Sequence, residues 1–394
     1  MPPGTSAPVE LSAEQRDVVE AIISDLKAGK PTRTLGGYAG TGKTTVIKHL
    51  AARYPRAGIV APTGRAASVL RRKGVDAHTI HSTIYLPVCE CARAGLTECV
   101  NQKAGRKCRI VTFRRRPFLG HTLLICDEAS MVRRDVYHDL MGYGVPTIFV
   151  GDHGQLPPVT DKNETPFNLM DAPDYRLETI HRHGGEIPRF AQHLREGCPA
   201  YQFRPRDGSV MIADRDEPLE RLPVMKADRI ICATNRVRVG INNYYRRVIG
   251  RGDRVEPGDT VICLKNDDRG IYNGTLATVL SVDGNRFDIA SEEGTFEGVP
   301  FIPEQFGAVK RPGMVLGERR LPFDYGYAST CHKAQGGEWP YVLVIEEYLG
   351  DRLWPHARWA YTAASRAQQR LVWRASTRIF EPSYDHDAEI GGAP

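Results

Sequence analysis

Gly37-Tyr38-Ala39-Gly40-Thr41-Gly42-Lys43-Thr44, running on into Thr45, reads as glycine, four residues, then Gly-Lys-Thr. That is the spelling of a phosphate-binding loop. Glycine lets a backbone turn tightly enough for successive N–H groups to point inward around a triphosphate tail. Lys43 adds a positive charge near the β- and γ-phosphates, and the Thr44 hydroxyl is placed to ligate Mg²⁺. The loop opens a helix predicted over about residues 43–53, which offers its positive dipole end to the anion. A glycine turn that binds nothing has no need of every fixed position, so the stretch implies a bound nucleoside triphosphate.

Upstream, Ser12 is placed to cap a helix whose apolar residues Val18, Val19, Ile22, Ile23 and Leu26 share one face up to Gly29. A short strand over 32–35 leads into the loop. A second strand, 58–62, runs into Thr63-Gly64-Arg65-Ala66-Ala67, which opens another helix. A third, 122–126, ends in Asp127-Glu128-Ala129-Ser130, and a fourth, 146–150, ends in Gly151-Asp152-His153-Gly154-Gln155-Leu156-Pro157-Pro158. Strand, loop and helix repeated at this spacing predict a parallel α/β sheet. An acidic pair at the carboxyl end of a buried strand stands where such sheets bind ligands. Asp127 suits holding Mg²⁺, Glu128 suits orienting an attacking water, and Gln155 is placed to sense the γ-phosphate.

The chain has 394 residues, a formal net charge of +6 and nine cysteines. Length suggests two to four domains, and the mild positive charge permits a polyanion partner without requiring one. No apolar run is long enough to predict a membrane span. Residues 1–8 read as a disordered tail without the marks of a secretory signal. Isolated cysteines at the ends of apolar runs (Cys126, Cys232, Cys263) predict a reducing, cytoplasmic setting.

These motifs, in this order, resemble a superfamily 1B helicase of the RecD/Dda-like kind, and the resemblance covers nearly the whole chain. It implies two RecA-like domains of the P-loop NTPase fold around ATP and Mg²⁺, single-stranded and forked DNA as partners, and 5′→3′ travel. Gln15 matches the glutamine that reads adenine. Gly37, Ala39, Gly40, Thr41, Gly42, Lys43, Thr44 and Thr45 match the nucleotide-binding loop, with Thr44 and Asp127 on the metal. Thr63 and Arg65 match the next motif, whose threonine touches strand phosphates, and His81 in His78-Thr79-Ile80-His81-Ser82 lies on the nucleic-acid side. Arg182, in Leu177-Glu178-Thr179-Ile180-His181-Arg182, stands where the family has an arginine that reaches the γ-phosphate.

Farther on, residues 229–236 resemble the motif that opens the partner domain. Residues 327–338 hold Thr330, His332 and Lys333, in a segment that contacts strand and nucleotide in the family. Arg366, in Tyr361-Thr362-Ala363-Ala364-Ser365-Arg366-Ala367, matches the arginine finger.

Two insertions remain. Residues 84–120 are too long for a simple connection and read as a hairpin module. Its second half carries Lys103, Arg106, Lys107, Arg109, Arg114, Arg115 and Arg116 and no carboxylate, an electrostatic footprint for phosphates. In the family, this position carries the pin that parts a duplex. Cys89, Cys91, Cys99 and Cys108 fall in the same module. Their number suits tetrahedral zinc, their first spacing is tighter than usual, and free thiols in a hairpin are the alternative. Residues 243–324 change to short strands separated by Gly, Asp and Asn turns, which predicts a small SH3-like β-barrel.

The expected organisation is therefore a first RecA-like domain over 9–83 and 121–200, interrupted by 84–120, and a second over 201–242 and 325–394, interrupted by 243–324. Candidate stacking residues are Phe113, Phe118, Tyr244, Tyr245, Tyr327 and Trp339. A monomer with a single-strand-binding or replication protein as partner fits this reading. A nucleic-acid-stimulated ATPase that remodels bound proteins, and a motor subunit of a larger assembly, are the competing readings.

Overall fold

Ser12 begins the first helix, α1 (Ala13–Lys27), with a reciprocal cap. Its hydroxyl accepts from the Gln15 amide while its own N–H donates to Gln15 Oε1. The computed structural model describes residues 10–89, 91, 110–158, 167–181, 185–214, 216–267, 269–309, 320–348 and 355–375. These divide into two compact units, one drawn from 1–153 and 157–182, the other from 154–156 and 183–394.

In the first unit, β1 (Thr32–Gly37) feeds the phosphate loop and α2 (Lys43–Arg53), which spans the residues predicted for it. Then follow β2 (Ala57–Ala61), α3 (Gly64–Arg72), β3 (Ala77–Thr79), α4 (Ile80–Ile84), and the strands β4 (Tyr85–Cys89) and β5 (Ile110–Arg115). The unit closes with β6 (Leu123–Cys126), α5 (Arg134–Met141), β7 (Thr147–Gly151) and β8 (Tyr175–Leu177). Six strands form one parallel sheet in the order β3-β2-β6-β7-β1-β8. Apolar residues alternate between its faces. Ile59, Ile125, Ile148 and Val150 meet Ile22, Ile47 and Leu50 on one side, while Val60, Leu124, Cys126 and Phe149 meet Ile80, Ile84 and Leu140 on the other. Burial on both faces is what a parallel sheet requires. β4 and β5 form a separate antiparallel pair, with Tyr85 opposite Arg115 and Pro87 opposite Phe113.

The second unit has α6 (Ile187–Arg195), β9 (Val210–Ala213), β10 (Arg229–Cys232) and α7 (Asn235–Val248), then β11 (Thr260–Cys263), β12 (Leu276–Asp283), β13 (Arg286–Ser291), β14 (Gly294–Pro300) and β15 (Phe323–Tyr325). It ends with β16 (Ala328–Thr330), α8 (Cys331–Ala334), β17 (Trp339–Ile345), α9 (His356–Ala364) and β18 (Ala367–Arg374). Its parallel sheet runs β16-β10-β17-β18-β9, and an antiparallel sheet runs β14-β13-β12-β11-β15.

Three boundaries differ from expectation. Residues 185–200 belong to the second unit because Phe190 of α6 is buried against Trp373 of β18, ring centroids 5.4 Å apart. Gly154–Leu156 join it too, since the Leu156 N–H donates to Thr362 Oγ1 (2.9 Å) and its carbonyl accepts from Gln335 Nε2 (2.9 Å). And α7 continues past residue 242 to Val248, so Tyr244 and Tyr245 lie on a helix rather than in the inserted module.

Two buried ion pairs tie α7 to the antiparallel sheet and the segment leading into it. Arg238 pairs with Asp324 at 2.5 Å, and Arg246 pairs with Asp259 at 3.1 Å while lying 4.0 Å over the Tyr325 ring. Asp259 also accepts from Tyr327 Oη (2.7 Å) and the Glu256 N–H (2.8 Å). Asp259→Asn removes the counter-charge of a buried guanidinium, a change that costs about 3–5 kcal/mol. We expect a lower urea midpoint for the unfolding of this unit; an unchanged midpoint would contradict the account.

Candidate active site

The loop after β1 is shaped by what cannot fit there. A Cβ on Gly37 would lie 2.7 Å from Thr41 Oγ1, and one on Gly42 would lie 2.3 Å from Gln15 Nε2. Gly40 and Gly42 take φ of 86° and 83°, which L side chains avoid. Gly42 at the N-cap of α2 has no side chain to cap it and no acidic residue stands in the first turn, so the N–H groups and dipole of α2 offer an anion site. Lys43 Nζ bridges the loop by donating to the carbonyls of Gly37 (2.7 Å) and Tyr38 (2.9 Å). Thr44 and Thr45 follow on the first turn of α2, half-buried, as is Ala39 in the loop.

Gln15 is buried, and both ends of its carboxamide are engaged. Oε1 accepts from Ser12 and Nε2 donates to the Thr41 carbonyl at 3.0 Å. It thus braces the loop from α1, a role its motif match did not suggest; the second N–H of the amide is the part left for a base.

Asp127 follows β6 and is 9% exposed. Burial pushes its carboxyl pKa up, opposed by the Glu128 N–H (2.9 Å to Oδ1) and by the charges of Lys43 and Lys73. The Lys43 charge is near enough to act on Asp127, so the two motifs stand in one region of the first unit. Glu128 is the one non-glycine residue with positive φ, 53°, among the described residues. Strain of that kind costs roughly 1–3 kcal/mol and persists where the surroundings demand it. A buried carboxylate beside an uncapped helix start, with a threonine on that helix, fits a divalent cation and a triphosphate.

Around this centre the structure adds contacts that the motifs do not spell. The His181 N–H donates to the Gly40 carbonyl (2.9 Å), so the segment after β8 runs against the phosphate loop. Glu14 on α1 holds that segment by accepting from the N–H groups of Glu178 and Thr179. The His153 ring packs against Tyr38 at a 45° tilt, with centroids 4.2 Å apart. Of these, only the Gly-Asp-His-Gly spelling offered a signal in the sequence. Arg182 itself lies outside the described residues, as do Cys99 and Cys108 of the cysteine cluster. Among the described residues no group of three or more His, Cys, Asp or Glu could hold a metal ion. Cys89 and Cys91 form no disulfide among the described residues.

Gln155 and Arg366 are both buried in the second unit. Arg366 donates to the carbonyls of Thr362 (3.0 Å) and Gly337 (3.2 Å) and to Ser365 Oγ (2.9 Å). Its buried charge therefore has neutral acceptors and no carboxylate among the described residues.

The proposed strand contacts fare unevenly. Thr63 caps α3 by accepting from the Ala66 N–H, with Arg65 on the same turn, and Thr330 precedes α8. His81 lies against the rings of Tyr85 and Phe113 (4.5 and 4.6 Å), and partial burial lowers its pKa. Burial pushes the His332 pKa down to about 4, which keeps its ring neutral; Lys333 beside it carries the charge. Arg115 is neutralised by Asp139 at 3.5 Å, whereas Arg114 makes no ion pair among the described residues. Trp339 is buried under Arg229, and Tyr245 stacks on Tyr327 at 4.2 Å, so these three are not free stacking surfaces. Phe113 and Phe118 stay exposed, at 51% and 76%.

A family model described as an AAA domain matches residues 10–215, a little over half of the chain, and one described as a UvrD-like helicase C-terminal domain matches 325–372. Together with the parallel-sheet fold and the phosphate loop, this defines a P-loop NTPase. The chain belongs to the superfamily 1B helicases of the RecD, Pif1 and Dda-like kind. It is 29% identical over 404 aligned residues to the ATP-dependent RecD2 DNA helicase of Deinococcus radiodurans, covering 94% of this chain and 50% of that one. To the ATP-dependent DNA helicase Pif1 of Bdellovibrio bacteriovorus it is 24% identical, covering 96% and 91%. Its fold is similar to that of a Pif1 helicase from Bacteroides solved in complex with ADP-AlF3 and ssDNA, with a TM-score of 0.58 at 21% identity over 93% of each chain. The chain thus spans half the length of the Deinococcus relative.

Lys43→Ala should cut ATP turnover by at least about a hundredfold, the scale of losing one preorganised charge donor. Steady-state phosphate release measures it, and an unchanged rate would remove Lys43 from the site.

Proposed function

We propose that this chain is an ATP-dependent motor that tracks single-stranded DNA 5′→3′ and couples hydrolysis to duplex opening. The observation that carries the reading is the uncapped, glycine-shaped loop of Lys43 beyond the carboxyl end of β1 with buried Asp127 beyond that of β6, near enough for the Lys43 charge to act on its carboxyl. That arrangement suits a nucleotide held for hydrolysis rather than merely bound. Thr44 and Asp127 would hold Mg²⁺, which when bound neutralises charge on the β- and γ-oxygens. Glu128 orients the attacking water, its strained backbone aiming the carboxylate. Gln155 senses the γ-phosphate, and Arg182 and Arg366 supply positive charge to it. The neutral contacts of Arg366 leave its charge undiminished for that purpose.

On the strand side, Thr63, Arg65, His81, Arg114, Thr330 and Lys333 take phosphates or stack on bases. Residues 84–120 serve as the module that parts the duplex, and the antiparallel sheet β11–β15 as an SH3-like module of the second domain. We place the protein inside the cell, working as a monomer in replication, recombination or repair. Relatives named as DNA helicases support the choice of DNA as substrate.

Strand displacement tests the proposal directly. With ATP and Mg²⁺, a DNA duplex with a 5′ tail should be unwound, and the same duplex with a 3′ tail or an RNA tracking strand should not. Equal rates on both tails would overturn the polarity, and no displacement at all would favour the remodelling ATPase.

A further inference from the structure

At the root of the β4–β5 hairpin, the first unit holds a cavity of about 500 Å³ between Arg115–Leu119 and the Gly142–Val145 turn. Its size is that of a cleft for a small organic group. One wall is firmly built. The Arg115 guanidinium lies 5.0 Å over the Tyr143 ring and so close to Gly142 that a Cβ there would come within 2.4 Å of Nη2. Tyr143 Oη donates to the Ile84 carbonyl at 2.7 Å, and Asp139 holds both Arg115 and the Tyr85 hydroxyl. The other wall is Phe118, whose ring is 76% exposed. Arg116 has Nη2 at the Ser82 carbonyl (3.3 Å), while its buried Nε–H has no acceptor among the described residues.

The position matters as much as the lining. Gly142–Val145 lead into the amino end of β7, whereas Asp127 and the phosphate loop stand at carboxyl ends of the same sheet. A strand of five residues, roughly 16 Å, lies between. Thr63, at the carboxyl end of β2, lies at the far side of the sheet as well, whereas Arg116 reaches the Ser82 carbonyl close to Thr79. What enters this cavity is therefore neither ATP nor the stretch of strand at Thr63.

We propose that the cavity takes one nucleotide of the displaced arm of a fork, its base flat on Phe118 and its phosphate on Arg116. The inference rests on the motor reading above and assigns that motor a second nucleic-acid site. A flat exposed ring beside the Arg116 guanidinium matches a base and its phosphate, because stacking tolerates any base and arginine pairs with phosphate. Residues 112–120 carry three arginines and no carboxylate. An acidic peptide shares the charge, but a single small cavity with stacking faces suits an isolated planar ring better than an extended chain.

The test uses the full chain and a fluorescein-labelled duplex bearing either a 5′ tail alone or both tails as a fork. The parent should bind the fork about tenfold more tightly than the 5′-tailed duplex. Phe118→Ala should erase that preference while keeping the parent's thermal melting, and Phe118→Trp should retain the preference. A Phe118→Ala protein that still prefers the fork overturns the proposal, as does equal loss of single-strand and fork binding. So does an acidic tryptophan-containing peptide that competes against the parent's Phe118 site with fork preference intact, which would make the cavity a protein-docking site. A parent without strand-stimulated ATPase overturns the motor reading and this proposal with it; a stimulated parent with no fork preference overturns this proposal alone.

Discussion

Asp127 keeps a carboxylate where water barely reaches, and that choice constrains everything near it. Left alone, burial would favour the neutral acid. The Glu128 N–H and the positive charge of Lys43 work against that preference. Lys43 can do so because glycines at 37, 40 and 42 let the loop fold over its side chain and accept from it. Gln15 then fixes the loop to α1, and Glu14, next to it, fixes the segment after β8. A chain of local contacts thus runs from a helix cap to a phosphate site, each link made by a side chain with no spare freedom. A cation and a triphosphate supply what the carboxylate and the uncapped helix lack.

The second unit solves a different problem. Its antiparallel sheet is inserted between a helix and a strand of the parallel sheet, and a loose insertion would move independently. Arg238–Asp324 and Arg246–Asp259 prevent this with charges buried on both sides. Such pairs contribute little net stability, since desolvation offsets most of the attraction. They do penalise any arrangement that separates the partners, because each would be left as an unpaired buried charge. The consequence is an insertion that moves with α7.

How much of this was legible in the sequence depends on how local the cause is. The helix from Lys43 to Arg53, the Ser12 cap and the parallel strands follow from spacing and residue type, and those are written in adjacent residues. The edge of the first unit was not legible, because Phe190 joins the second through Trp373, a partner far along the chain. Leu156 likewise goes with Thr362 and Gln335 rather than with its neighbours. Charge counts misled in a related way. Arg115 looks as available as Arg114 in the run of arginines, yet Asp139 neutralises the first. His332 sits in a basic motif but is held neutral by burial. Aromatic residues divide similarly, with Trp339 covered by Arg229 while Phe118 stays open.

The central claim is that one site, built on Lys43 and Asp127, hydrolyses ATP in response to a bound strand. The measurement closest to it is the rate of ATP hydrolysis by the full chain as single-stranded DNA is added in the presence of Mg²⁺. The account predicts a saturable rise of at least about tenfold in kcat, abolished by Asp127→Asn, since a contact that acts in the transition state changes kcat. A rate indifferent to DNA, or a stimulated rate that survives Asp127→Asn, would contradict it.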